Sequence, residues 1–322
     1  MSANPTEFLE DIQRSLAKPR TGEFERKEYQ EITQKQLEEQ GINITGDPLE
    51  QALGFSVKIA LRGLSADERI KVEKNVAFGV AQTGEINAAI YASADGAYAI
   101  LLNRGLMMFL NKYLKLIATQ GKPENLTYID SDAQALLDSG GIEAVLDFVK
   151  ENYFKYGEPL GGKVKPIPEL AANASILLSL GETFAVCHEI GHYLNGDLDS
   201  ALEKGVTSDG AGGATKVVLP VEHTMEYQAD RTGYRIYAKG NAESEFPTEP
   251  QPLMAPVVTL FDALHYLDDS ESPTHPHPLR RIINAVFSFH GADEADWILN
   301  SYNGFVSDVF FEGLKEFRQT LV

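Results

Sequence analysis

Apolar residues recur at helical spacing or alternate at strand spacing along most of this 322-residue chain. Phe8, Ile12 and Leu16, then Ile32 and Leu37, stand at helix-like intervals in a charged stretch. They predict an N-terminal helical segment over 1–45 that packs on, or projects from, a main domain over 46–322. From about residue 53 the pattern changes: Phe55, Val57, Ile59 and Leu61 alternate with small or polar residues, and period two predicts a strand. Residues 85–103 read as two strands joined through Ala94-Asp95-Gly96, because Asp-Gly between alternating apolar runs is a hairpin signal. The run that follows predicts a helix ending at Gly121.

Further along, 142–153 predicts a helix, and Gly161, Gly162, Pro166 and Pro168 mark a loop. A long, densely apolar helix comes next and stops at Asn195-Gly196. The Gly-rich stretch 203–216 predicts a flexible loop; it lacks the Walker lysine pattern and the strand-loop-helix context of a phosphate-cradling loop. Pro220 opens another helix, with Gly240 as its stop. A helix over about 254–267, a proline-rich segment and two C-terminal helices complete the chain, with no internal repeat.

The long apolar helix contains His188-Glu189-Ile190-Gly191-His192. Residues four apart share a helix face, so the two imidazoles can reach one ion, and zinc prefers nitrogen ligands in a tetrahedral shell. Glu189 is one step round the helix, where a carboxylate can take a proton from an attacking water and pass it to a leaving amine. A chance match to this pattern is expected only about 0.01 times in a chain of this length. A catalytic zinc wants a third protein ligand, for which His223, Glu226 and Asp230 are the downstream candidates. Glu226 and Asp230 are also four apart, so Glu226 can bind the metal while Asp230 accepts the free N–H of a ligand imidazole, His188.

Composition narrows the field. The chain is 43% hydrophobic and 23% charged, ordinary for a globular protein, but its net charge of −19 opposes binding to nucleic acid or anionic membrane. A single cysteine, Cys187, excludes an intrachain disulfide or a cysteine metal cluster and reads as a buried core residue. The N-terminus has no signal-like apolar core and no stretch is an uninterrupted membrane span, so a cytoplasmic location with no integral membrane span is expected.

HEIGHYLNGD followed by MEYQADRTGYRIYAKG resembles the HtpX and CAAX-prenyl-protease type of gluzincin, whose second metal helix carries E-x-x-x-D. INAAIYASADGAYAILLNRGLMMFL resembles that family's edge hairpin and following helix, and SPTHPHPLRRI its His-Pro segment followed by Arg-Ile. The resemblance implies an α+β fold: a small, mostly antiparallel sheet set against the HExxH helix and the ExxxD helix. It implies a Zn2+ endopeptidase with His188, His192 and Glu226 as ligands, Asp230 behind them and Glu189 as general base. It also makes His275 the donor to the oxyanion, with His277, Tyr227 and Tyr234 as the other candidates. A peptide or protein substrate would lie along the sheet as an added edge strand. The membrane helices of many members have no counterpart here, and a soluble member, such as a Lit-type phage-exclusion peptidase with one cellular target, fits better. A zinc-stabilised regulatory protein without proteolytic activity is the rival from another class.

Overall fold

A computed structural model describes residues 4–16, 47–199, 207–209, 215–217, 223–243, 250–270, 276–290, 312–313 and 315–316. The fold is mostly helical with a small sheet, broadly α+β. In chain order the described elements are α1 (Pro5–Leu16), α2 (Pro48–Gly63), α3 (Ala66–Asn75), β1 (Val76–Ala81), β2 (Ala88–Ala92), β3 (Tyr98–Asn103) and α4 (Arg104–Thr119). There follow β4 (Leu126–Ile129), α5 (Ser131–Tyr156), β5 (Val164–Pro166), α6 (Pro168–Asn195), β6 (Thr207–Asp209), β7 (Thr215–Val217), α7 (His223–Ala242), α8 (Pro250–Leu267) and α9 (Pro278–His290).

The stretch expected to be a strand from Phe55 to Leu61 lies within the helix α2. Asp47 caps its N-terminus by accepting the Leu49 N–H, and Pro48 occupies the first turn, where a missing N–H costs nothing. Leu49, Leu53, Ser56, Ile59, Ala60 and Gly63 are buried, a helical stripe, whereas Phe55 is 51% exposed. Alternation over four residues was a coincidence within that longer stripe. The helix expected over 142–153 begins earlier, at Ser131, and is interrupted at Gly141, whose φ of 72° breaks the helical path. Within the Gly-rich 203–216, the described residues include the antiparallel pair β6–β7 rather than loop alone.

The main sheet has the order β1-β3-β2, with β1 parallel and β2 antiparallel to β3. It is therefore mixed rather than mostly antiparallel. One face (Val76, Val80, Ile90, Ile100, Leu102) joins the main core beneath the helices. The other face (Tyr91, Ala99, Leu101) is covered by Phe8, Leu9 and Ile12 of α1. The expected hairpin is present: Ser93 N–H donates to Ala97 O, and Gly96, with φ 83°, makes the turn. β1 and β2 are the two edges, and β7 passes within 8 Å of β2, Cα to Cα, without joining its ladder.

The long helix α6 is, among the described residues, the one helix long and apolar enough to cross a membrane. Its second half, Gly181 to His192, is buried continuously, with α2, α4, α7 and α8 as its helical neighbours. Ser56 of α2 meets Thr183 through a buried hydroxyl–hydroxyl hydrogen bond of 3.1 Å. A helix so enclosed can hold polar side chains in fixed positions away from bulk water.

Candidate metal centre

Three helices assemble the site. α6 and α7 approach unusually closely because glycines stand where they cross. A Cβ on Gly191 would lie 2.7 Å from the Ala229 carbonyl oxygen, and one on Gly233 would lie 2.9 Å from both Cα and N of His188. Real side chains do not fit at such distances, so glycine is required for this approach. The approach brings Glu226, on the first turn of α7, over the two imidazoles of α6.

His188 Nε2 and His192 Nε2 lie 3.1 Å apart. Glu226 Oε2 is 3.5 Å from His188 Nε2, and its Oε1 is 3.4 Å from His192 Nε2. All three residues are buried, and the group could hold a metal ion. Each imidazole is fixed from behind by a buried carboxylate. Asp230 Oδ1 is 2.9 Å from His188 Nδ1, the pairing expected from the four-residue spacing. Asp197 Oδ2 is 2.7 Å from His192 Nδ1, a pairing that the sequence reading did not include. Gly196, with φ 74°, ends α6 and turns the chain so that Asp197 comes back beneath His192. The Asn-Gly-Asp that follows HExxH was the available signal.

Arg281 of α9 is the arginine of the Arg-Ile pair quoted for the resemblance, although its partners were not specified there. Its guanidinium makes a two-bond fork to Asp230, at 2.9 and 2.7 Å, and lies 3.2 Å from Glu226 Oε2. It also stacks over Phe261 at 5.0 Å. Planar, bidentate pairing of this kind fixes orientation as well as charge. Burial would raise the Glu226 carboxyl, but Arg281 and the two imidazoles outweigh it and hold the group well below the usual carboxylate range. Burial would lower His192, yet Asp197 and Glu226 overcome it and push the imidazole up to about 10. The carboxylates thus draw positive charge to the point where the three ligand groups meet.

Glu189 is buried beside this group, with no hydrogen-bonding partner among the described residues. Its charge bears on His192, Arg281 and Tyr91. His223, the alternative third ligand, begins α7 but does not belong to the metal-holding group. His275 lies outside the described residues. His277 faces His265, their ring centroids 5.2 Å apart, and its Nδ1 accepts the Leu279 N–H. Tyr234 is buried against Tyr237, with its hydroxyl 3.3 Å from His290, and Tyr227 is half-buried. Cys187 is wholly buried, and burial raises its thiol well above the ordinary range.

No known protein family matches the chain, and no curated protein or solved structure is similar enough to match. The site therefore has to be read from its own chemistry.

Proposed function

We propose that the chain is a zinc-dependent endopeptidase of the gluzincin kind, with His188, His192 and Glu226 as ligands and Glu189 as general base. The observation that carries this reading is the spacing of the ligand atoms. Zinc bonds of about 2.0–2.2 Å in a tetrahedral shell place neighbouring donors roughly 3.3–3.5 Å apart. Here the two imidazole nitrogens are 3.1 Å apart, Glu226 approaches them with Oε1 at 3.4 Å from His192 and Oε2 at 3.5 Å from His188, and one donor atom from each residue lies within 4.8 Å of the others. Two nitrogens and one carboxylate oxygen also leave a fourth position open, the pattern of catalytic rather than structural zinc.

Zinc held there would supply a Lewis acid that polarises a carbonyl. The chain's own groups do the rest. Asp230 and Asp197 accept hydrogen bonds from the Nδ1–H groups of His188 and His192, which keeps the Nε2 lone pair of each imidazole available to a metal and would make it a better donor. Arg281 keeps Asp230 and Glu226 ionised and in place. Glu189 takes the proton of the attacking water and delivers it to the departing amine.

Peptide would add as a strand along β2. Hydrogen-bonded pairs of the β2–β3 ladder fall at residues 87, 89, 91 and 93, since Asn103 N–H donates to Asn87 O, Ser93 N–H to Ala97 O, and such pairs alternate along the strand. Ala88, Ile90 and Ala92 accordingly turn their main-chain groups to the opposite edge. Recognition of that sort depends on main-chain groups and is tolerant of side chains.

Metal content tests the reading. Protein purified without chelators should carry about one zinc per chain, and Glu226→Ala or His192→Ala should lower occupancy sharply. Protein that contains none and takes up none on addition contradicts it.

A further inference from the structure

The helix α6 holds two buried carboxyl groups that have no hydrogen-bonding partner among the described residues: Glu189 and Glu182. Every other buried acid of the site is balanced by a neighbour: Asp230 by Arg281 and His188, Glu226 by Arg281 and both imidazoles, Asp197 by His192. Glu189 has a task in the proposed chemistry. Glu182 has none yet.

Residues seven apart on a helix lie within about 20° of the same face, separated by about 10.5 Å along the axis. Glu182 thus belongs to the stripe that Glu189 occupies, with the small Ala185 between them. The helix α6 also packs against β2. Tyr98, paired with Ala92 across the ladder, packs on Tyr193 at 4.7 Å, so the Ala88 end of β2 is the end toward Glu182. A strand advances about 3.3 Å per residue, which places Glu182 about three residues from the bond that Glu189 would serve.

We propose that Glu182 forms the floor of a subsite for a cationic substrate side chain, lysine or arginine, about three residues from the scissile bond. The proposal rests on the peptidase reading and adds its substrate class: basic peptide segments. A buried carboxyl with no countercharge destabilises a fold, and ligand-binding sites are where such groups are retained. Burial pushes Glu182 up to about 8, and no cation among the described residues pulls it back. An arriving ammonium or guanidinium would restore the ionised form and gain a buried, charge-assisted contact. Glu85, exposed just ahead of β2, and the net charge of −19 add attraction of the same sign.

The test uses zinc-loaded Glu189→Gln protein, which should hold peptides without cutting them, and a positional library with lysine or isosteric norleucine at each place. Lysine at one position should tighten binding about tenfold or more. Adding Glu182→Gln should abolish that preference while leaving the norleucine peptides bound as before. The Glu182→Gln protein should melt no lower than its parent, since a neutral isostere replaces an unpaired acid, so the loss would not reflect unfolding. No lysine preference at any position, or one that survives Glu182→Gln, overturns the proposal. Failure of the peptidase reading shows separately, as zinc-loaded parent protein that leaves every library member intact.

Discussion

At the scale of single residues, the candidate metal ligands announce themselves through chemistry and the residues that bring them together do not. His188 and His192 were legible because only a few side chains suit a metal and their four-residue spacing converts directly into a shared helix face, and Glu189 because it stands one step round that helix from them. Asp230 was legible for the same reason. Asp197 and Arg281 reach the site through a turn and through a separate helix, and no local spacing encodes either approach. Gly191 and Gly233 carry no chemistry at all, yet they set the distance between α6 and α7. Replacing Gly233 by Ala would press a methyl group against the His188 backbone, and such overpacking typically costs about 1–3 kcal/mol. We expect Gly233→Ala to weaken zinc binding at least tenfold by moving Glu226 away from the imidazoles, measured by competition with a chelator. An unchanged affinity would mean that the helices are free to adjust.

At the scale of elements, boundaries set by caps were readable and short alternations were misleading. Asn195-Gly196 and Asp95-Gly96 did what such pairs do elsewhere, whereas the alternation from Phe55 to Leu61 hid a helix whose capping residue lies eight positions earlier, at Asp47. The edge strand gives a direct test. Ala88→Pro removes an outward N–H but no bond of the β2–β3 ladder, because that residue faces away from β3. Peptide cleavage should fall more than tenfold while zinc stays bound; full turnover by this variant would exclude β2 as the substrate strand.

A second element joins α3 to α7. Ser65 and Glu68 form a reciprocal cap, and Arg235 donates to Glu68 at 2.7 Å. Burial would raise the Glu68 carboxyl, but Ser65 and Arg235 outweigh it and hold it below its ordinary value. A lowered carboxyl stabilises the fold above the unfolded-state pKa of about 4.3 and loses that contribution as pH falls through its folded value. Glu68→Gln should therefore cost about 1 kcal/mol at pH 7 and close to nothing near pH 3, read from denaturant titrations at both. Equal losses at the two values would rule out the charge as the cause.

At the scale of the whole molecule, α2, α4, α7 and α8 enclose the second half of α6, while the sheet offers its edge alongside. Enclosure keeps the carboxylates of Glu226, Asp230 and Asp197 out of bulk water, in low-dielectric surroundings that strengthen their interactions. The same enclosure could serve a zinc site that merely holds the fold together, and the two possibilities part company at Glu189. That residue is buried beside the ligands and has no hydrogen-bonding partner among the described residues, so it contributes little to the architecture. Glu189→Gln preserves its shape and removes its basicity. The most direct measurement is zinc content and peptide cleavage on the same preparations of parent and Glu189→Gln protein. The account predicts equal zinc in both and a loss of about 10²–10⁴-fold in turnover for the variant, the usual contribution of a general base. Cleavage by the variant at the parental rate, with zinc bound, would contradict it.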